Sequence, residues 1–518
     1  MYESLKLPVG IENFEEIRTK GYYYVDKTKL IELLFDRLGK VNLFTRPRRF
    51  GKTLNMSMLR YFFEIGTDAS LFDGLYIAGK QALVSAHLGK YPVIFLSLKN
   101  VEGLSFESAR YQLVELIAKE ARRHRALESS PQLDENDQKI YAALTQVQDG
   151  MYVMAEDVLY GSLQALSELL YKHYQQKVLI LIDEYDVPLD KAFQHGYYRE
   201  MVALMRTLFG KALKTNDALD FAVLTGCLRV SKESIFTGLN NFKILSITDT
   251  RFDEQFGFTD AEVRKLLADY HLESKYAETK EWYDGYRFGN VDVYCPWDVM
   301  NYLLELQRNP NAAPISYWKN TSDNSIIRSF IDYRGTKISQ KLETLLSGGY
   351  ILQKVEEDLT YDYLHSSEEN LWSILYLTGY LTRVREEDLP APLPEDASAL
   401  IIPNAEVREI FETTIQKWFD ESAQTWNLTA LFDAMWSGNA ETLTAEINKL
   451  LYKTISYHDY KEDFYHAFLT GILAGSGCAV KSNREHGEGR SDIVIYHPDR
   501  PQVILFEAKY AKTLGGLQ

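Results

Sequence analysis

The chain has 518 residues, with 57 Lys and Arg against 73 Asp and Glu, a formal net charge of −16. Hydrophobic residues make up 46% and charged ones 25%, a balance that excludes global disorder and, at about 150 residues per domain, suggests three folded domains. The acidic excess excludes a surface that coats nucleic acid along its whole extent and restricts any such contact to a local basic site.

The first half alternates short β-branched runs with helical patterns, the mark of parallel α/β units. Val41–Thr45 reads as a buried strand, followed by a Gly/Lys loop and a helix from Leu54 to near Ile65. Val93–Ser97 is a second strand, and Ser105 to Arg125 is helical, with Leu113, Leu116 and Ile117 on one face. Val178–Ile182 has no polar alternation, as expected of a central parallel strand covered on both faces. Phe221–Thr225 and Lys243–Ile247 complete one doubly wound sheet. From 255 to 385 the pattern is helical with short hairpins, including a packed aromatic turn at Glu281–Gly289 and a helix-to-strand passage at Trp372–Arg383. Glu386–Glu395, with three prolines, reads as a linker or hairpin tip. Helices follow at 404–420, 427–436 and 439–453, then a helix from Asp459 and strands at Ala479–Ser482, Asp492–Tyr496 and Gln502–Glu507.

Cys227, Cys295 and Cys478 lie far apart with no CxxC pair, which fits a reducing compartment and excludes a disulfide framework or a thiolate zinc site. The N-terminus lacks a basic-then-apolar secretion pattern, and no apolar run approaches a membrane span. A cytoplasmic location without membrane contact is the expectation.

Two motifs carry chemistry. Strand Val41–Thr45 runs into Arg46, Pro47, Arg48, Arg49, Phe50, Gly51, Lys52 and Thr53, the strand–loop–helix context of a phosphate-binding loop. Gly51 lets backbone N–H groups converge on phosphate, Lys52 reaches the β/γ-phosphates, and the Thr53 hydroxyl holds Mg²⁺. Arg46 stands where the general pattern has its first glycine, and the four crowded cations imply a bound anion. The apolar strand at 178–182 ends in Asp183 and Glu184, read as a Mg²⁺ ligand and as the base for the attacking water. Asp186 is expected to cap the next turn. Thr225, ending its strand, is placed to sense the γ-phosphate, and Arg229 competes with Arg46, Arg48 and Arg49 to be the charge-stabilising finger. ATP and Mg²⁺ are the implied cofactors.

Near the C-terminus, Asp492 opens one strand, while Glu507 and Lys509 form an E-x-K on its hairpin partner. Asp492 and Glu507 could chelate Mg²⁺ while Lys509 stabilises the attacking hydroxide or the pentavalent phosphate. Glu462 or Glu485 supplies a third acid.

Together these motifs resemble a bacterial family of AAA-ATPase-like proteins with a C-terminal domain of the PD-(D/E)XK nuclease superfamily. The resemblance runs from Leu7–Ile11 and Gly21–Thr28 through the 45–55 loop, Ser234–Asn241, Trp282–Tyr286 and Asn483–Glu485 to Glu507–Lys509. It implies an α/β fold with a P-loop sheet at 1–250, a helical or winged-helix region at 251–400, a helical connector at 401–455 and a nuclease-like α/β domain at 456–518. It also implies that Tyr24–Thr28 lies near the nucleotide. The superfamily core adds a helix and a strand after the E-x-K, but the chain stops nine residues beyond Lys509, so an incomplete nuclease core is expected.

Two functions follow as expectations. One is an ATP-regulated, metal-dependent nuclease acting on nucleic acid through the C-terminal domain. The other is a nucleotide-switch scaffold or signalling ATPase whose end domain only holds a partner. A homo-oligomer is compatible with either.

Overall fold

A computed structural model describes residues 6–36, 39–228, 242–318, 341–342, 344–357, 359, 367–394, 396–414, 429–454, 479–486, 489–497 and 501–506. The chain divides into two compact units, Met1–Tyr317 with Leu352–Ala405, and Trp318–Ile351 with Glu406–Gln518.

The first unit is built on β1 (Val41–Thr45), β2 (Val93–Ser97), β5 (Val178–Asp183), β6 (Leu219–Gly226) and β7 (Phe242–Leu245); β3 (Val147–Gln148) and β4 (Met151–Tyr152) form a separate hairpin. The five strands lie in the order β2-β5-β6-β1-β7 and every neighbouring pair is parallel. Every residue of β1 and β5 is buried, which explains the unbroken apolar run of β5 from Val178 to Ile182. Asn42 is tolerated inside β1 because its amide donates to Gly39 and Ala222 carbonyls. Both β1 and β5 border β6, so the loop after β1 and the acids after β5 emerge on either side of the end of β6.

The helix after β1 spans Lys52–Phe63 and begins two residues before its apolar stretch, because Gly51, at φ 82°, sets the chain into the first turn. Helix Phe106–Arg123 starts at Ser105, whose hydroxyl accepts from the Ser108 N–H. A second sheet, β8 (Phe258–Thr259), β10 (Val291–Tyr294) and β9 (Tyr286–Phe288), is antiparallel and ordered β8-β10-β9. It packs with helices Asp260–Asp269 and Pro296–Arg308 around Tyr283, Tyr294, Tyr302 and Leu303. Gly285 joins the Tyr276–Tyr283 helix to β9 at φ 95°; a Cβ there would sit 2.2 Å from the Pro403 carbonyl, so only glycine fits. Of the Glu386–Glu395 stretch, the described residues 386–394 fall between the antiparallel strands Thr382–Arg383 and Ser398–Ile401, as a hairpin connection does.

In the second unit, helices Thr429–Ser437 and Ala440–Thr454 contribute Met435, Trp436 and Leu443 to a small core with Ile495 and Ile504. Strands Ala479–His486, Gly489–Tyr496 and Val503–Phe506 form an antiparallel sheet in that order. No helix among the described residues is long and apolar enough to cross a membrane.

Candidate functional site

The loop from Arg46 to Gly51 is shaped by two left-handed residues, Arg49 at φ 72° and Gly51 at φ 82°, which fold it back over the start of the Lys52–Phe63 helix. Its hydrophobic anchor is Phe50, fully buried against the rings of Tyr286 and Phe288 at 4.8 and 5.0 Å. The Phe50 carbonyl accepts from Gly257 N–H, and the Asn55 amide donates to the Gln255 carbonyl at 2.8 Å. The loop is thus fastened to the 252–257 segment and β9, two places distant in sequence.

The Arg46 side chain takes part in that fastening. It is fully buried and donates to the carbonyls of Thr45, Leu245 and Phe252 at 2.9, 2.8 and 3.2 Å, beneath the rings of Phe256 and Phe288. Burial pulls its guanidinium down to about 10, with Asp249 and Asp253 opposing. Its charge therefore faces the core, and Arg46 does not join the finger candidates at the mouth of the loop. Arg48 lies 3.5 Å from the Asp190 carboxylate, and Arg49 donates to the Tyr317 carbonyl beside the ring of Trp297. Carbonyls, a carboxylate and aromatic faces thus draw these cations in different directions.

Lys52 is buried and donates to the carbonyls of Arg46 and Pro47 at 3.0 and 2.8 Å, with Cys227 Sγ at 3.6 Å. At the second residue of the helix, the Thr53 hydroxyl donates to Asp183 Oδ2 at 2.8 Å. The Thr225 hydroxyl, at the end of β6, donates to Asp183 Oδ1 at 2.5 Å. Hydroxyls 130 residues before and 42 residues after it in the chain thus converge on one carboxylate. Asp183 is fully buried, and that burial pushes its carboxyl up; the two hydroxyls and Lys52 oppose the rise, and Glu12 adds to it.

Glu184 leaves the strand at φ 53°, a left-handed conformation that costs a non-glycine residue about 1 kcal/mol and recurs at functional sites. Burial pushes its carboxyl up, and Asp183 and Asp186 reinforce the shift against Lys52 and Lys99. Asp186 occupies the position before helix Val187–His195 but its side chain does not cap it. Instead Oδ2 accepts from the N–H groups of Cys227 and Leu228 at 2.8 and 3.0 Å, tying the end of β5 to the turn after β6. The capping expectation is corrected by this stronger demand from two otherwise unpaired donors.

Tyr24–Thr28 serves the 76–77 turn: Asp26 accepts from Thr28 and Tyr76 N–H, and Thr28 Oγ1 accepts from Ile77 N–H. Two residues near the acids escape sequence reasoning, Lys99 and Glu12. The signal of Lys99, a basic residue just past the end of β2, gains meaning only once β2 is known to lie beside β5.

Among the remaining candidates, Arg229, Glu462, Glu507 and Lys509 lie outside the described residues. Asp492 lies within strand Gly489–Tyr496 and does not open it, because the hairpin register runs back to His486 opposite Gly489. Glu485 lies in the neighbouring strand, opposite Arg490. Ile493, next to Asp492, pairs with Phe506, the residue before Glu507.

Comparison with known proteins agrees with this architecture. Residues 8–236 match the family described as predicted AAA-ATPase, and residues 460–516 match the PD-(D/E)XK nuclease superfamily. A protein of Azotobacter chroococcum mcd 1, named only as an uncharacterized protein in the vnfD 5′ region, is 25% identical over 519 residues, covering 97% of this chain and 89% of that protein. The chain joins an AAA-ATPase-like domain to a C-terminal nuclease-superfamily domain.

Proposed function

We propose that the first unit binds and hydrolyses ATP with Mg²⁺, and that nucleotide turnover governs a metal-dependent nuclease activity of the C-terminal domain. The observation that carries the ATPase reading is the convergence of Thr53 and Thr225 on the buried Asp183 carboxylate beside Lys52.

The residues suit the group. Asp183 is a buried carboxylate whose two hydrogen bonds come from neutral hydroxyls, and this hard-oxygen donor set matches Mg²⁺. A Cβ built on Gly51 would meet nothing within 4 Å, so phosphate oxygens have room against the backbone there. Lys52 would exchange its two loop carbonyls for phosphate oxygens. Thr53 and Asp183 would hold the metal, which when bound neutralises charge on the phosphates. Glu184, half-buried and turned out of β5, would orient the attacking water and accept its proton. Thr225 would report on the water or terminal phosphate through the carboxylate it already touches. In the C-terminal domain, Asp492, Glu507 and Lys509 would form the cutting site, with Glu462 or Glu485 as a third acid.

Binding of a fluorescent ATP analogue to Lys52→Ala and Glu184→Gln variants tests the first unit. Lys52→Ala should lose binding, and Glu184→Gln should retain it while ATP turnover falls by about 10²-fold or more. Turnover by Glu184→Gln at the parental rate would overturn the assignment of the base. Incubation with DNA and RNA, Mg²⁺ or Mn²⁺, and with or without ATP tests the second. Cleavage lost in Asp492→Ala supports the nuclease; ATP-dependent binding without cutting under every condition replaces it with a partner-holding module.

A further inference from the structure

We propose that Lys99 is a triphosphate sensor: its ammonium leaves Glu12 and contacts the terminal phosphate of a nucleoside triphosphate held at the Lys52 loop. The inference rests on reading that loop as a nucleotide site.

Position is the first argument. Strands β2 and β5 are parallel neighbours, and Ser97 stands opposite Asp183 in their register. Adjacent strands lie about 4.8 Å apart. The chain then enters the 3₁₀ turn Leu98–Asn100, anchored by the buried Leu98, so Lys99 follows at the same edge from which Asp183 and Glu184 emerge. Glu12 holds its ammonium above the ordinary lysine range against partial burial, and Glu184 and Asp183 add to the effect. Those two acids therefore already act on Lys99.

Availability is the second. Arg46 is committed to three carbonyls in the core, Arg49 donates to the Tyr317 carbonyl, and Lys52 is the loop's own phosphate ligand in that reading. Lys99 instead pairs with Glu12 at 2.7 Å, with the two side chains 49% and 52% exposed. A pair this exposed is weak and opens readily. A terminal phosphate carries more charge than one carboxylate and makes stronger charge-assisted hydrogen bonds. Exchange of partners is therefore favoured in its presence, and a diphosphate offers nothing at that place.

The third argument is that breaking the pair leaves its surroundings anchored. Asn13 caps helix Phe14–Thr19, and the Phe14 N–H donates to Ser57 Oγ at 2.9 Å on the Lys52–Phe63 helix. The segment bearing Glu12 stays docked without Lys99.

Equilibrium binding of a non-hydrolysable triphosphate analogue and of ADP to the full chain, both with Mg²⁺, tests the proposal. Lys99→Met should lose about tenfold in triphosphate affinity while ADP affinity stays within about twofold. Lys99→Arg should restore most of the difference, and Glu12→Gln should keep or tighten triphosphate binding. Equal losses for both nucleotides mark a structural role and overturn the proposal, as does an unchanged ratio in Lys99→Met. An unchanged ratio alongside lost binding in Lys52→Ala overturns this inference alone. If the unaltered chain binds neither nucleotide, the site reading falls and this inference with it.

Discussion

Asp186 and Gly226 show how few atoms hold the acidic end of β5 beside β6. The Asp186 carboxylate satisfies two N–H groups just past β6, and Tyr185 reaches across to donate its hydroxyl to the Leu228 carbonyl. Gly226 lies beneath both: a Cβ there would meet Tyr185 Cε1 at 2.5 Å and Asp186 Oδ1 at 2.8 Å. Gly226→Ala should therefore destabilise the first unit by about 1–3 kcal/mol, read as a lower urea midpoint. Asp186→Ala should cost about 1–3 kcal/mol by leaving both donors unpaired, while Asp186→Asn, which keeps an acceptor oxygen, should recover part of that loss. The local pattern at Asp186, an acid before Val-Pro, resembles a cap, and nothing nearby announces Cys227 and Leu228 as competitors. Arg46 is opaque for the same reason, because its acceptors Leu245 and Phe252 lie some two hundred positions away. The proximity of Lys52, Thr53, Asp183 and Thr225 is easier to foresee, because each sits at or just past the end of an apolar run.

Helix Phe106–Arg123 is attached to β2 by a charged knot. Glu120 accepts from the Phe95 N–H at 2.7 Å and pairs with Arg123, which also reaches Glu64 and the Val93 carbonyl. Burial alone would push the Glu120 carboxyl up, but Arg123 and His124 together hold it down at about 2. A carboxyl depressed by folding stabilises the fold above its unfolded value and loses that contribution as pH falls through its folded value. Glu120→Gln should therefore lower stability at pH 7 by about 2–3 kcal/mol, and the difference should shrink between pH 4.5 and 2, as measured by urea unfolding at several pH values. At this scale the strands were legible because short, predominantly apolar and β-branched runs, unbroken in β5 from Val178 to Ile182, fit a sheet covered on both faces. Strand order was not, since periodicity carries no information about which neighbours β6 takes. The first turn of the Lys52 helix was missed too, because it is polar and owes its start to the backbone of Gly51.

The chain divides into two compact units, and the two proposed activities fall on different ones. Asp492→Ala should leave ATP turnover within about twofold of the parent, whereas Lys52→Ala should remove any ATP dependence of cleavage; parallel ATPase and nuclease assays on the full chain separate these outcomes. With a net charge of −16, the proposed nucleic-acid binding would depend on a restricted basic region. Its affinity should fall steeply and log-linearly with salt, measurable by anisotropy with labelled DNA and RNA between 50 and 200 mM, conditions that span roughly the physiological range.

Arg46 also bears on any effort to redesign this protein toward the common pattern. Installing the consensus glycine at that position would look like a repair on paper. In the folded molecule it would excavate a guanidinium-sized hole under Phe256 and Phe288 and strand the acceptors at Leu245 and Phe252 in a dry interior. The departure from consensus is thus a keystone, and undoing it singly would require rebuilding the arch around it.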